Sequence, residues 1–188
     1  MTTEQIENNQ DSNKKKYSKL TILSLILVVF VLVMIPLFLQ AIKPLKKLGC
    51  YGTFMALSSS ITVYSNDYDG KLPPIDKWCD VLTENNYFPS KGLRCPGASE
   101  GPCNYAMNKN LANFDIEAYF KNLDLSHISY DNLVMFFETY PGWNQAGDAD
   151  ILNTENHSGK GCHILFVDGH YEFVEVKDFD KLKWKAGN

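Results

Sequence analysis

The sequence predicts an α+β chain, with a long helix that starts in a membrane and a head of mixed helix and strand after it. Three stretches carry that prediction. Residues 20–42, LTILSLILVVFVLVMIPLFLQAI, hold no charge. Residues 50–68 repeat apolar side chains at helical spacing. Residues 162–176, CHILFVDGHYEFVEV, are two strand-like runs about an Asp-Gly pair.

Residues 1–19 come first. Met1 to Asn13 are polar and lack aromatics, a composition that stays disordered, and Lys14, Lys15, Lys16 and Lys19 follow. They read as a cytoplasmic tail. The apolar run 20–42 then matches the ~20 residues that cross a bilayer's hydrocarbon core. A cleaved secretory signal has a shorter apolar core of roughly 7–15 residues and a small-residue cleavage site, and neither is present. The run therefore reads as a retained anchor. Pro36 lies inside it, which membrane helices tolerate. Lys43, Lys46 and Lys47 follow, so lysines flank both ends and bias the orientation only slightly.

Residues 43–70 read as a spine helix. Cys50, Phe54, Leu57, Ile61, Tyr64 and Tyr68 alternate at spacings of three and four, one stripe of an amphipathic helix. Pro44 allows a bend between the anchor and this half, and Gly49 and Gly52 weaken the junction by up to ~1 kcal/mol each. Gly70 suits the C-terminus, and Pro73-Pro74 forbid continuation.

Residues 71–188 form the head, enough chain for one domain with a core. With a net charge of -4 and a pI near 5.5, the chain has no basic stripe to neutralise phosphates, which excludes nucleic acid as the partner. All five cysteines follow the anchor. Cys95 and Cys103 bracket CPGASEGPC, a loop whose prolines and glycines bring its ends together, so a Cys95–Cys103 disulfide is expected. That bond fits an oxidising, extracytoplasmic compartment. The odd count leaves at least one thiol over.

Between residues 75 and 129 the pattern is mixed. Asp76 to Leu82 is expected as a short helix with Trp78 and Leu82 inward, and Asn113 to Leu123 as another. PSKGLRCPGASEGPCNYAMN reads as irregular loop. Leu133 to Phe137, LVMFF, is an apolar run suited to a buried strand, and the polar loop TYPGWNQAGDADILNTENHSGKG follows. Asp168-Gly169 then predicts a two-residue type I′ hairpin, which needs positive φ at both positions. In that register Phe166 faces Tyr171 and Ile164 faces Phe173, an apolar face turned inward, while His163, Leu165, Val167, His170, Glu172 and Val174 make a mixed outer face.

The spine stretch KKLGCYGTFMALSSSITVYSNDYDGKLPP, placed after a charged tail and an apolar span, resembles type IV pilin-like and type II secretion pseudopilin-like proteins. RCPG, NYAMN and NHSGKGCHILFVDGHYEFV are similar to a bacterial subgroup with a C-terminal histidine, a spacer and Asp-Gly-His, here His157, Asp168, Gly169 and His170. The resemblance implies an α+β fold with the long helix packed on a small antiparallel sheet. It also implies a structural or accessory role beside other pilin-like or secretion-system proteins. The family's glycine before the apolar span and glutamate shortly after it are missing from KKKYSKLTILSLIL, so prepilin-type cleavage is not expected.

Chemistry is sparse in this reading, and no enzyme is expected. Cys162 and His163 are strand neighbours and point to opposite faces, so they form no nucleophile–base pair. A zinc site needs three or four converging ligands, and of His157, His163 and His170 only the last two share the outer face. Asp148 and Asp150, with Asp168, are the calcium candidates, and some pseudopilin-like proteins hold calcium in this region. Calcium takes roughly six to eight oxygens, so a solvated acidic loop is the stronger reading and no cofactor is expected. HSGKG lacks the spacing of a phosphate loop. A membrane-anchored pilin-like protein is the expectation, with lipid as a partner, the N-terminus cytoplasmic, and the head outside the bacterial inner membrane. The alternative is a membrane-tethered metal-binding module or enzyme built round the C-terminal histidines.

Overall fold

The structure, a computed structural model, describes residues 3–98, 101–122 and 132–186, with side chains described at 21–39, 49–98, 101–121 and 132–186. The chain divides into two compact units, Met1–Leu45 and Lys46–Asn188. Helix α1 runs from Thr3 to Asp67. Residues 3–19, expected as a disordered tail, are helical backbone, since extending an existing helix is far easier than nucleating one. Within the first unit Thr21–Leu39 is long and apolar enough to cross a membrane, and its side chains are exposed throughout. The lysines flanking it have side chains outside the described residues.

In the second unit the spine buries its predicted stripe. Cys50, Phe54, Leu57, Ile61 and Tyr64 are all buried. Tyr68 is 44% exposed, because the helix has ended one residue earlier, and its ring stacks on Tyr64 with centroids 4.3 Å apart. The end is a Schellman arrangement: Asp69 takes the left-handed conformation at φ 52° and the Gly70 N–H donates to the Ser65 carbonyl at 2.8 Å.

The stripe covers one face of a five-stranded sheet. Its strands are β1 (Tyr105–Asn108), β2 (Val134–Glu138), β3 (Ala146–Gly147), β4 (Gly161–Phe166) and β5 (Tyr171–Glu175), in the order β3-β1-β2-β4-β5. The fold is α+β as expected. The sheet is antiparallel except at its edge, where the two residues of β3 run parallel to β1. Helices α2 (Trp78–Glu84) and α3 (Ile116–Asn122) match the two short helices expected, though Leu123 lies outside the described residues. Strand β1 falls in the stretch read as loop.

Alternation assigns side chains to two faces, and both are buried. Tyr105, Met107, Leu133, Met135, Phe136, Leu165 and Val167 belong to the core under α1. Ala106, Val134, Phe137, Cys162, Ile164, Phe166 and Val174 form a second core, covered by Phe179, Leu182 and Trp184 from the C-terminal segment. The register shifts between Val134 and Phe136, a bulge that leaves Met135 and Phe136 both on the α1 side.

The hairpin is closed differently from the expectation. Tyr171 pairs with Leu165, Glu172 with Ile164 and Phe173 with His163, one residue off the predicted register. The Gly169 N–H donates to the Phe166 carbonyl at 3.0 Å, and the Phe166 N–H to His170 at 2.9 Å. Gly169 has φ 86° and Asp168 is not among the positive-φ residues. This is a three-residue loop, a type I turn followed by a left-handed glycine, rather than a type I′ pair. The slip exchanges the two faces of β4 alone: His163 and Leu165 now join Tyr171 and Phe173 on the side of α1, and Ile164 and Phe166 turn to the other core. The Ser58 hydroxyl of α1 donates to the Gly169 carbonyl at 2.9 Å, fastening the turn to the helix.

The expected Cys95–Cys103 bond is also corrected. Cys95 is joined to Cys50 of α1. Cys103 lies two residues before β1, where its sulfur accepts from the Tyr105 N–H at 3.4 Å and its thiol contacts that of Cys79. Loop compactness suggested the wrong partner, because Cys50 is brought close only by packing of the helix. Gly49 permits the approach: a Cβ there would stand 2.8 Å from Pro96 Cγ. Cys79, Cys103 and Cys162 are free and buried.

Non-reducing peptide mapping is expected to show the Cys50 peptide linked to the Cys95 peptide, unchanged by Cys103→Ser. Closing 45 residues of chain contributes about 4 kcal/mol in the chain-entropy account, so Cys95→Ser should lower the denaturation midpoint strongly. Gly49→Val should act in the same direction, because Pro96 must move before the bond can close.

Candidate functional site

Glu138 ends β2 opposite Tyr105 and beside His163 of β4, on the α1 face. It is completely buried. Its carboxylate accepts from the His163 backbone N–H at 2.8 Å and meets His157 Nε2 at 3.0 and 2.9 Å through its two oxygens. His163 Nδ1 lies 3.5 Å from the same carboxylate and 3.2 Å from His157 Nε2. Burial works to raise the Glu138 pKa. Hydrogen bonds and charge from the two imidazoles outweigh it and hold the carboxyl below its usual range.

His157 arrives from a 3₁₀ turn, Glu155–His157, that ends with Ser158 in the left-handed conformation. Its ring meets Phe173 edge-on at 5.4 Å and His163 at 4.8 Å. Phe54 of α1 lies over His163, centroids 6.1 Å apart. Beyond His157 is the disulfide, with Cys95 Sγ 4.0 Å from Nε2. One ligand atom each from Cys50, Cys95, Glu138 and His157 fall within 4.8 Å of one another.

The expected site residues are thus divided. His157 and His163 converge, whereas His170 lies on the other sheet face, stacked on Phe166 at 4.2 Å and bonded to Asp168. His163, placed outward by the predicted register, is 1% exposed. Cys162 points into the opposite core as alternation requires; burial first, then the Glu138 charge, pushes its thiol pKa up. Asp148 caps a 3₁₀ turn by accepting from the Asp150 N–H, and the Lys109 ammonium sits 2.6 Å from Asp148 and 3.7 Å from Asp150. These two aspartates, the calcium candidates of the sequence, thus face a lysine ammonium. Glu138 was missed altogether. Its signal was a carboxylate closing an apolar run, LVMFFE, on a strand buried on both faces.

Comparison of the chain with family models, with curated proteins and with solved structures finds no match.

His163→Ala removes one group facing a buried charge and should cost on the order of 3 kcal/mol in thermal or chemical denaturation. The folded Glu138 pKa is below the unfolded one. Its stabilising contribution is therefore complete above the ordinary carboxylate range and is lost as pH falls through the folded pKa. The stability gap between wild type and Glu138→Gln should accordingly shrink on acidification, measured as denaturation midpoints from neutral pH downward.

Proposed function

We propose that this chain is a membrane-anchored, pilin-like structural or accessory protein, held uncleaved in a bacterial inner membrane with its N-terminus cytoplasmic and its head outside. The observation that carries the reading is the division of labour along α1. Residues Thr21–Leu39 are uncharged, strongly apolar and unburied, whereas Cys50 to Tyr64 bury one stripe against a sheet. A helix used for lipid in one half and as the backbone of a small α+β head in the other suits a pilin-like spine. The similarity of KKLGCYGTFMALSSSITVYSNDYDGKLPP and of the His157, Asp168, Gly169, His170 motif to pilin-like and pseudopilin-like proteins points the same way.

The Cys50–Cys95 disulfide fits an oxidising compartment for the head. The motif's structural use also favours a scaffold: Asp168 and His170 bond to each other, and Gly169 makes the turn that Ser58 fastens. On this reading the partners are membrane lipid and other subunits of a type IV pilus-related or type II secretion-like assembly. Without the glycine and glutamate of prepilins the chain keeps its whole N-terminus, which suits an accessory position better than a processed filament subunit.

A reporter enzyme active only outside the cytoplasm, fused after Asn188, should be active, and N-terminal sequencing of the membrane-extracted protein should begin at the first residues of the chain. Crosslinking in native membranes should capture other single-span, pilin-like proteins. An inactive reporter, or a new N-terminus near Lys19, would overturn the proposal.

A further inference from the structure

We propose that Cys50, Cys95, His157 and Glu138 are the ligands of a zinc site that forms when the Cys50–Cys95 disulfide is reduced. The inference stands on the head alone and does not depend on the pilin-like reading. Four donor atoms from four separate segments, α1, the Cys95 loop, β2 and the 3₁₀ turn of His157, lie within 4.8 Å of one another. Two sulfurs, one imidazole nitrogen and one carboxylate oxygen make a donor set that suits tetrahedral zinc, with thiolates selecting against calcium and magnesium.

The crowding of polar atoms about one nitrogen of His157 points to a cation as well. Its Nε2 has both Glu138 oxygens at 3.0 and 2.9 Å, His163 Nδ1 at 3.2 Å and Cys95 Sγ at 4.0 Å. An imidazole nitrogen carries one proton or one lone pair, so even a proton shared between the two Glu138 oxygens leaves the His163 nitrogen and the Cys95 sulfur facing it without a bond. A metal ion bound to Nε2 would be shared by the sulfurs and the carboxylate. His163 then acts as a positioning residue through its imidazole, whose Nδ1 lies 3.5 Å from the Glu138 carboxylate and 3.2 Å from His157 Nε2, as outer-shell partners of metal ligands do.

The two states balance. A dithiol reductant gives two electrons and two protons to the Cys50–Cys95 bond and itself becomes a disulfide. Zinc binding then releases the two thiol protons to solvent and leaves two thiolates on the ion. Either way α1 stays clipped to the Cys95 loop, covalently when oxidised and through the metal when reduced.

The test uses the full chain in detergent micelles, reduced anaerobically with a phosphine, which takes oxygen from water as it becomes its oxide. Zinc sulfate is added, excess is dialysed away, and bound zinc is measured. The reduced protein is expected to retain one zinc per chain and the oxidised protein none, with reoxidation releasing the ion. Cobalt in place of zinc should give thiolate charge-transfer bands and the visible bands of a tetrahedral ion. Alkylation mapping of the wild-type chain with and without zinc should show protection gained at Cys50 and Cys95 and unchanged at Cys79, Cys103 and Cys162. This readout needs no variant to fold. His163→Ala should weaken zinc binding about 10–100-fold without abolishing it, and His157→Ala should abolish it. Failure of the reduced wild type to hold zinc would overturn the inference, as would equal retention by oxidised protein or protection at other cysteines only.

Discussion

Glu138 has no exposed surface, and an ionised carboxylate so placed costs several kcal/mol unless hydrogen bonds and charge face it from within. Those facing groups come from distant parts of the chain. His163 is its neighbour across the sheet, while His157 reaches it only because a 3₁₀ turn and a left-handed Ser158 redirect the chain before β4. Phe54 and Phe173 wall the imidazoles in, and the disulfide closes the remaining side. The spine, the loop after α2, the end of β2 and the approach to β4 are therefore held to one small polar centre inside an otherwise apolar core.

The periodic elements were legible. The stripe from Cys50 to Tyr64, the apolar helix Thr21–Leu39 and the LVMFF strand each follow from a pattern that one stretch of sequence contains. The hairpin was legible as a hairpin but not in its register. Asp-Gly suits two loop lengths, and the choice between them depends on what each face of β4 meets. Because α1 covers one face and the Phe179–Trp184 segment the other, an apolar strand gave no clue to which side was outside. Without that, His163 could not be recognised as buried. Glu138 needed one more piece, the bulge at Met135 that turns it toward α1. A bulge inside a run of five apolar residues leaves no mark on the pattern.

The Asp168-Gly169-His170 motif illustrates how a conspicuous stretch can be conformational in purpose. Gly169 supplies the left-handed residue, Asp168 accepts from the His170 N–H at 3.1 Å, and His170 closes over Phe166. The same histidine-rich sequence holds two unlike parts. His157 and His163 belong to the polar centre, and His170 belongs to the turn. Grouping them by residue type alone obscured a division that the two faces of one sheet impose.

The covalent link between Cys50 and Cys95 has a mechanical meaning. The 45 residues it encloses include the end of α1 and all of α2. If the head were pulled away from its helix, that segment could not be drawn out, even after its packing had given way. An extended chain spans ~3.3–3.6 Å per residue, so about 150 Å of contour would stay hidden behind the bond. A tug on the head would meet a short tether while the sulfurs are joined and a much longer one once they part.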